Sequence, residues 1–243
     1  FIKEAVRFSD TDDFFLGIEE TNVVSFYLQT QHLNRSEIIA EENYLKAWSV
    51  CAGRALALPN MQGQYFKEEF PTWKELKPTF AAHLRAAFEL GMPMWMALGP
   101  VAVEGAYRGL IERNEVIAAL LQSLDMVSRP GHRKQLVTLL TAVLRITDEE
   151  IRERWETFNG VLASAEPSLI TAFGLRMIAL ATDEQLAELV LPLLYVTTLK
   201  GLKDVLKAVQ ARADFSQDTP YVLADRVQEL AGHKDPGVAS AAT

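Results

Sequence analysis

Two stretches of this chain, TDEEIRERWETFNGVLAS at residues 147–164 and TDEQLAELVLPLLYVTTL at residues 182–199, begin in the same way. In each, a threonine is followed three residues later by Glu150 or Gln185, which is the signature of a capping box at the start of a helix. In the first stretch, apolar residues then recur at the spacing of one helix face, namely Ile151, Trp155, Phe158 and Leu162. Both stretches therefore predict helices that bury one face.

Similar start signals occur along most of the chain. Asn34 with Glu37 predicts a first helix that runs to about Leu58, and Thr72 with Glu75 predicts another start. Thr219, followed by Pro220, predicts the last helix. The sequence thus predicts an all-α fold, an irregular multi-helix bundle that follows an extended N-terminal arm.

The spacing of these starts indicates a second arrangement. Thr147 and Thr182 are 35 residues apart, and Thr219 follows 37 residues later. A period in this range is typical of stacked helix pairs, in which each pair buries its apolar faces against its neighbours. The residues that the two stretches share are mainly a capping signature. The irregular bundle is therefore the favoured interpretation, and a helical-repeat-like arrangement is the alternative.

The composition divides the chain into four predicted parts. Residues 1–33 form an acidic, aromatic arm or subdomain, residues 34–98 and 99–231 form two helical lobes, and residues 232–243 form a tail. The division between the lobes is placed in the stretch 91–100, which is rich in Pro and Gly. We expect the arm to dock its aromatic side chains into a groove of the same or a neighbouring copy. Its candidate contacts are Phe8, Phe14, Phe15 and Phe26.

Charge and cysteine content limit the classes of partner. The chain has 243 residues, 49% of them hydrophobic, and a formal net charge of -8, which disfavours binding to nucleic acid. One cysteine cannot form an internal disulfide, so we expect a reducing location, either the cytoplasm or a virion or filament assembled there. No secretory signal is visible, and the apolar windows are interrupted or too short to span a bilayer. The sequence therefore predicts no membrane partner.

Familiar signatures of catalysis are missing from the sequence. It has no phosphate-binding loop, dinucleotide fingerprint, zinc-protease motif or nucleophile elbow, so we expect no catalysis, no cofactor and no metal. His83 is interpreted as a histidine at the edge of the core, and Cys51 as a small buried residue. Trp95 and its methionine neighbours are interpreted as core filling. An apolar pocket near His83 and Trp95 is the alternative.

The segment SRPGHRKQ, residues 128–135, breaks a local rule. Its prolyl-glycyl turn separates two predicted helices, and basic residues in the first turn of the second helix oppose the helix macrodipole. Free amides at that helix start could hold an anion or an acidic segment of a partner, including the arm of this chain. The candidate contacts are Arg129, His132, Arg133 and Lys134. The alternative is a solvated charged turn.

These observations favour a non-catalytic structural or interaction protein that self-associates as a coat-type or scaffold subunit. Its expected contacts are the N-terminal arm, the C-terminal tail and the segment 128–135, which we call the basic turn. One alternative is a viral coat or nucleocapsid-type subunit, in which distant Arg and Lys side chains converge on a groove for nucleic acid. Another is a helical small-molecule-binding domain or an enzyme whose site no sequence motif marks.

Overall fold

The computed structural model describes residues 38–58, 71–212 and 218–243, and every regular element in these ranges is helical. The all-α prediction is therefore confirmed for this part of the chain. The chain divides into two compact units between Leu144 and Arg145. The predicted arm lies outside the described residues, together with its candidate contacts Phe8, Phe14, Phe15 and Phe26.

The N-terminal unit is built around one buried helix, α4 (Leu98–Tyr107), against which α1 (Glu42–Ala55), α3 (Phe80–Glu89) and α5 (Arg113–Met126) pack. A glycine allows this close approach, because a Cβ at Gly105 would lie only 2.6 Å from the Phe80 ring. A 3-10 turn at Lys77–Thr79 joins α2 to α3, and a π-helical segment at Leu139–Val143 extends α6. The helices are α1 (Glu42–Ala55), α2 (Trp73–Leu76), α3 (Phe80–Glu89), α4 (Leu98–Tyr107), α5 (Arg113–Met126) and α6 (Pro130–Thr138).

The stretch 91–100, which we expected to separate two lobes, lies inside the N-terminal unit. Gly91 adopts a positive φ of 64° and ends α3, and α4 begins at Leu98. Buried residues of α4, such as Val101 and Ala102, belong to the core of this unit. The Pro- and Gly-rich stretch is therefore a turn between packed helices, and the structure places the boundary of the units at 144/145 instead.

Two predicted starts have different outcomes. The capping box at Thr72 is confirmed, because its backbone N–H donates to Glu75 Oε2 at 2.7 Å. The first helix was expected from Asn34, but residues 38–41 are not helical and α1 begins at Glu42. The Asn34 and Glu37 pair itself lies outside the described residues.

A π-helical segment changes which side chains α6 buries. The segment SRPGHRKQ is followed by an apolar stripe that an α-helix would continue to Val143, yet Val143 is 39% exposed. The Leu144 N–H donates to the Leu139 carbonyl at 2.8 Å, five residues back, so one extra residue enters this turn. Leu144 is consequently buried in place of Val143.

The C-terminal unit consists of three helix pairs. In the first pair, one member consists of α7 (Asp148–Glu153) and α8 (Trp155–Leu162). The other member consists of α9 (Pro167–Leu169), a π-helical segment (Ile170–Gly174) and α10 (Leu175–Leu180). The second pair is α11 (Asp183–Leu193) and α12 (Leu199–Gln210), and the third is α13 (Asp218–Ala231) and α14 (Pro236–Ala241).

These pairs stack in two layers. In one layer α8 packs on α11 and α11 packs on α13, while in the other α10 packs on α12 and α12 packs on α14. The starts noted in the sequence, Thr147, Thr182 and Thr219, each lie at the beginning of the first helix of a pair. The helical-repeat-like alternative thus describes the C-terminal unit, because each pair covers the apolar faces of the next.

The C-terminal tail is not a free segment. Residues 236–241 form α14, which packs on α12 and α13 and buries Val238. Asp235 caps this helix, because its Oδ1 accepts from the Val238 N–H at 2.9 Å and from Lys203 Nζ at 2.9 Å. The apolar Val238 and Ala241 of the tail are thus used within the unit, and a contact of the tail with another molecule stays a prediction.

Two arginines repeat the same contact one helix pair apart. Arg176 Nη2 donates to the Ile146 carbonyl at 3.2 Å, and Arg212 Nη1 donates to the carbonyls of Ile178 and Ala181 at 2.7 and 3.0 Å. Ile146 and Ala181 each directly precede a capping threonine. Arg212 satisfies carbonyls in the last turn of α10 that no intrahelical N–H reaches, and Arg176 satisfies a carbonyl in the link before α7.

Replacing Arg212 with Lys should lower the free energy of unfolding by about 2 kcal/mol, because an ammonium cannot reproduce two hydrogen bonds from one planar group. Urea denaturation followed by circular dichroism measures the change. Arg152→Lys, on the exposed surface of α7, is the matched control and should be close to neutral. Equal stability of the two variants would contradict the assigned role of Arg212.

Candidate functional site

The basic turn lies at the start of α6, with Arg129 at the N-cap position and Pro130 as the first helical residue. Arg129 and Lys134 are exposed, whereas His132 and Arg133 are half-buried. No side chain caps this helix start with a hydrogen bond. The structure therefore brings all four predicted contacts to one helix start but gives them two different environments.

Arg133 has a structural partner. Its Nη2 donates to the Val127 carbonyl at 3.0 Å, at the end of α5. This contact explains why a cation stands in the first turn of α6 against the macrodipole: the side chain turns back to the carbonyl end of the preceding helix, where positive charge is favourable. Arg133 therefore serves the turn itself.

His132 is held by an aromatic contact. Its ring stacks on the Trp95 ring, with the centroids 5.0 Å apart and the planes 12° from parallel. Both residues are half-buried, so Trp95 is a partly exposed aromatic contact. The interpretation of Trp95 as core filling is therefore wrong. Stacking fixes α6 against the segment that precedes α4. Two of the four basic-turn residues thus stabilise the N-terminal unit.

The other two residues remain available for a partner. Arg129 and Lys134 have no ion pair or side-chain hydrogen bond with any described part of the chain. Pro130 and Gly131, which follow Arg129 at this helix start, are exposed as well. The anion-binding interpretation of the turn is therefore reduced to these two charges and the neighbouring backbone amides.

The second candidate, His83, is deeply buried in an aromatic cluster. Its ring stacks on the Trp48 ring, with the centroids 4.8 Å apart and the planes within 3° of parallel. The Phe80 ring also contacts Trp48, with the centroids 5.4 Å apart. The Tyr44 hydroxyl lies 2.9 Å from His83 Nε2 and the Thr79 carbonyl lies 2.8 Å from Nδ1. His83 is therefore a core residue with both nitrogens bonded, more enclosed than the expected position at the edge of the core.

These partners fix the proton of the imidazole. A carbonyl only accepts, so Nδ1 carries the hydrogen, Nε2 accepts, and the Tyr44 hydroxyl donates. Burial lowers the pKa of His83 to about 4, against the raising effect of its bond to Thr79. The ring is consequently neutral at physiological pH and has no nitrogen left for a substrate.

Cys51 is also buried, on the same helix as Tyr44 and Trp48. Burial raises the pKa of its thiol to about 12, and the positive charge of Arg54 offsets only part of this. The thiol is therefore protonated at neutral pH, the state that is weakly nucleophilic. The interpretation of Cys51 as a small buried residue is consistent with this geometry.

An exposed apolar surface on α13 was not found from the sequence. Tyr221 is 84% exposed and Val222 is 50% exposed. Because α13 is the last of three stacked helices in its layer, no further helix among the described residues covers them. Nearby, the Arg226 guanidinium lies 4.2 Å from the centre of the Tyr195 ring. Sequence reasoning missed this surface because the apolar residues of α13 look alike until the packing of α11 selects which are buried.

None of the helices in the described residues is both long and apolar enough to cross a membrane. Likewise, residues 38–58, 71–212 and 218–243 contain no group of three or more His, Cys, Asp or Glu residues placed to hold a metal ion.

No protein-family model matches the chain, and the comparisons with curated proteins and with solved structures found no match either.

The burial of His83 predicts a pH dependence of stability. The unfolded chain protonates this histidine near pH 6.5 and the folded chain only near pH 4, so acid favours the unfolded state over this window. Above pH 6.5 the free energy of unfolding contains the full contribution of neutral His83, and about 3 kcal/mol of this free energy should be lost as the pH falls to 4. Urea denaturation at several pH values measures this loss.

His83→Gln should remove this part of the pH dependence, whereas His132→Gln, at a half-buried position, should keep it. If His83→Gln does not fold, the ring-proton resonance of His83 in the wild-type protein decides the question. An NMR titration midpoint near 6.5 would contradict the buried, neutral state.

Arg133 and Lys134 should differ in their effect on stability although they are neighbours. Arg133→Ala leaves the Val127 carbonyl without its donor and should cost about 1 to 2 kcal/mol. Lys134→Ala, at an exposed position, should be within about 0.5 kcal/mol of wild type. Thermal denaturation of both variants measures the difference, and equal midpoints would contradict the role of Arg133 within the turn.

Proposed function

We propose that this protein is a non-catalytic interaction protein that self-associates, a scaffold or coat-type subunit that acts in the cytoplasm or in an assembly formed there. The observation that carries the proposal is the exposed apolar surface of α13 at the last helix pair. In stacked helical repeats, terminal pairs normally present a polar outer face. Here exposed Tyr221 and Val222 interrupt the polar residues of that face.

The buried ionisable groups support a non-catalytic protein. Both nitrogens of His83 are occupied by Tyr44 and Thr79, and burial holds the Cys51 thiol in its protonated form. Catalytic histidines and thiols need an accessible nitrogen or a lowered pKa. The groups that first suggest an enzyme therefore serve the core of the N-terminal unit.

The basic turn supports the same proposal in a narrower form. Arg129 and Lys134 are the exposed charges that an acidic segment of another copy can contact, whereas Arg133 and His132 are engaged within the unit. A partner contact should therefore be tested with Arg129 and Lys134. Replacing Arg133 as well would mix the loss of contact with a loss of stability.

Size-exclusion chromatography with light scattering should show a species larger than the 27.1 kDa chain. The species should resist nuclease and show no excess absorbance at 260 nm. Y221S/V222S should shift it toward the monomer, because the substitution makes the exposed surface polar. L90S/M126S is the matched control, since Leu90 and Met126 are exposed apolar residues of the N-terminal unit.

A monomer at all concentrations would contradict the proposal. A species that dissociates with nuclease would contradict it too and favour the nucleic-acid coat alternative. R129E/K134E is tested separately, and unchanged association of this variant would remove the basic turn from the contact surface.

A further inference from the structure

The outward face of α12 carries a row of lysines. Lys200, Lys203 and Lys207 lie within an arc of about 60° at the helical spacing of 3.6 residues per turn. The opposite face, with Leu202, Val205 and Leu206, is buried in the C-terminal unit. Because α12 is the middle helix of its layer, its neighbours cover its sides and leave this lysine face open.

Two of the three lysines are unpaired. Lys203 Nζ bonds Asp235 Oδ1 at 2.9 Å and so helps to hold α14. Lys200 and Lys207 are exposed and have no ion pair with any residue in the described ranges. Leu199, an exposed apolar residue, lies at the edge of the same face. Half-buried Asp204 lies on the same side of α12, one turn after Lys200, so this face combines the free charges of Lys200 and Lys207 with one carboxylate and the apolar Leu199.

The other layer of the same unit presents the opposite charge. Its middle helix, α11, exposes Glu184 and Glu188 one turn apart and buries Leu186, Leu189 and Val190. Glu188 accepts only a long hydrogen bond, 3.4 Å from Asn159 Nδ2, and Glu184 has no partner in the described chain. We call Glu184 and Glu188, with exposed Glu156 and Asp225 on the flanking helices α8 and α13, the acidic face.

The C-terminal unit is therefore polarised across its two layers. The hairpin of α11 and α12 carries acids on the outside of one layer and lysines on the outside of the other. Opposite charges on the two faces of one chain cannot meet within that unit, because the buried leucines and valines lie between them. They can meet when two copies associate.

We propose that the lysine face of α12 docks on the acidic face of a second copy. The complementary charges of the two faces select this occupant over an unrelated partner, because both faces belong to the same chain. Two different surfaces take part, so the contact is heterologous and each copy keeps one lysine face and one acidic face free for further copies. The inference rests on the self-association proposed above and adds a charged contact to the apolar surface of α13.

Two charge-reversal variants test the contact by sedimentation velocity over a range of protein concentrations. K200E/K207E makes both faces acidic, and E184K/E188K makes both faces basic. Each variant alone should raise the dissociation constant about tenfold or more, since attractive pairs become repulsive ones. An equimolar mixture of the two should restore association, because each face then meets its opposite on the other variant.

A matched control separates this contact from a general effect of charge. K74E/K77E reverses two exposed lysines of the N-terminal unit and should associate like wild type. Raising the NaCl concentration from about 0.05 M to about 0.5 M should weaken wild-type association, because exposed charges are screened. Thermal midpoints of all variants should stay close to wild type, which excludes unfolding as the cause.

The outcomes distinguish the two proposals. A wild-type monomer at every concentration would overturn self-association and the docking together. Wild-type association that K200E/K207E leaves unchanged would overturn the docking alone, and so would an equal loss in K74E/K77E. A mixture of the two charge-reversal variants that stays monomeric would also overturn it.

Discussion

The need to satisfy carbonyls at helix ends shapes most of the described structure. The last carbonyls of a helix have no partner of their own, and this protein is rich in short helices. In both units, arginines from a neighbouring element donate to these carbonyls, as Arg212 does to Ala181 and Arg108 does to Leu56. Guanidinium groups suit this role because they stay charged and offer several donors in one plane. These contacts fix the ends of helices against neighbouring elements.

The same requirement explains why buried polar groups in the N-terminal unit are structural. His83 occupies the core because the Thr79 carbonyl, at the junction between a 3-10 turn and α3, accepts from its Nδ1. Tyr44 completes the pair from α1, and the ring stacks on Trp48. A buried hydrogen-bonded network of this kind joins two helices in one register, since either partner alone would be left unsatisfied in an apolar environment.

Charge is used differently inside and outside the C-terminal unit. Arg176 donates to the Ile146 carbonyl and pairs with Asp148, and its charge is partly buried there. Lysines on α12 and glutamates on α11 remain on opposite outer faces, where water solvates them. A two-layer stack separates these faces by its apolar interior, so a chain with an overall acidic balance still presents a positive surface. Net charge alone gives no indication of such a surface.

Local chemistry in the sequence determined the helices: capping threonines, helical spacing of apolar residues and the stop at Gly91 suffice to predict where many of them begin and end. The first helix, expected to run to about Leu58, ends at Ala55. A repeat spacing near 35 residues was also readable. Tertiary structure alone decided the rest. Packing set the unit boundary at 144/145, the π-helical turn moved Val143 to the surface, and a carbonyl from α5 engaged Arg133. These outcomes depend on distant partners, which one local stretch of sequence does not contain.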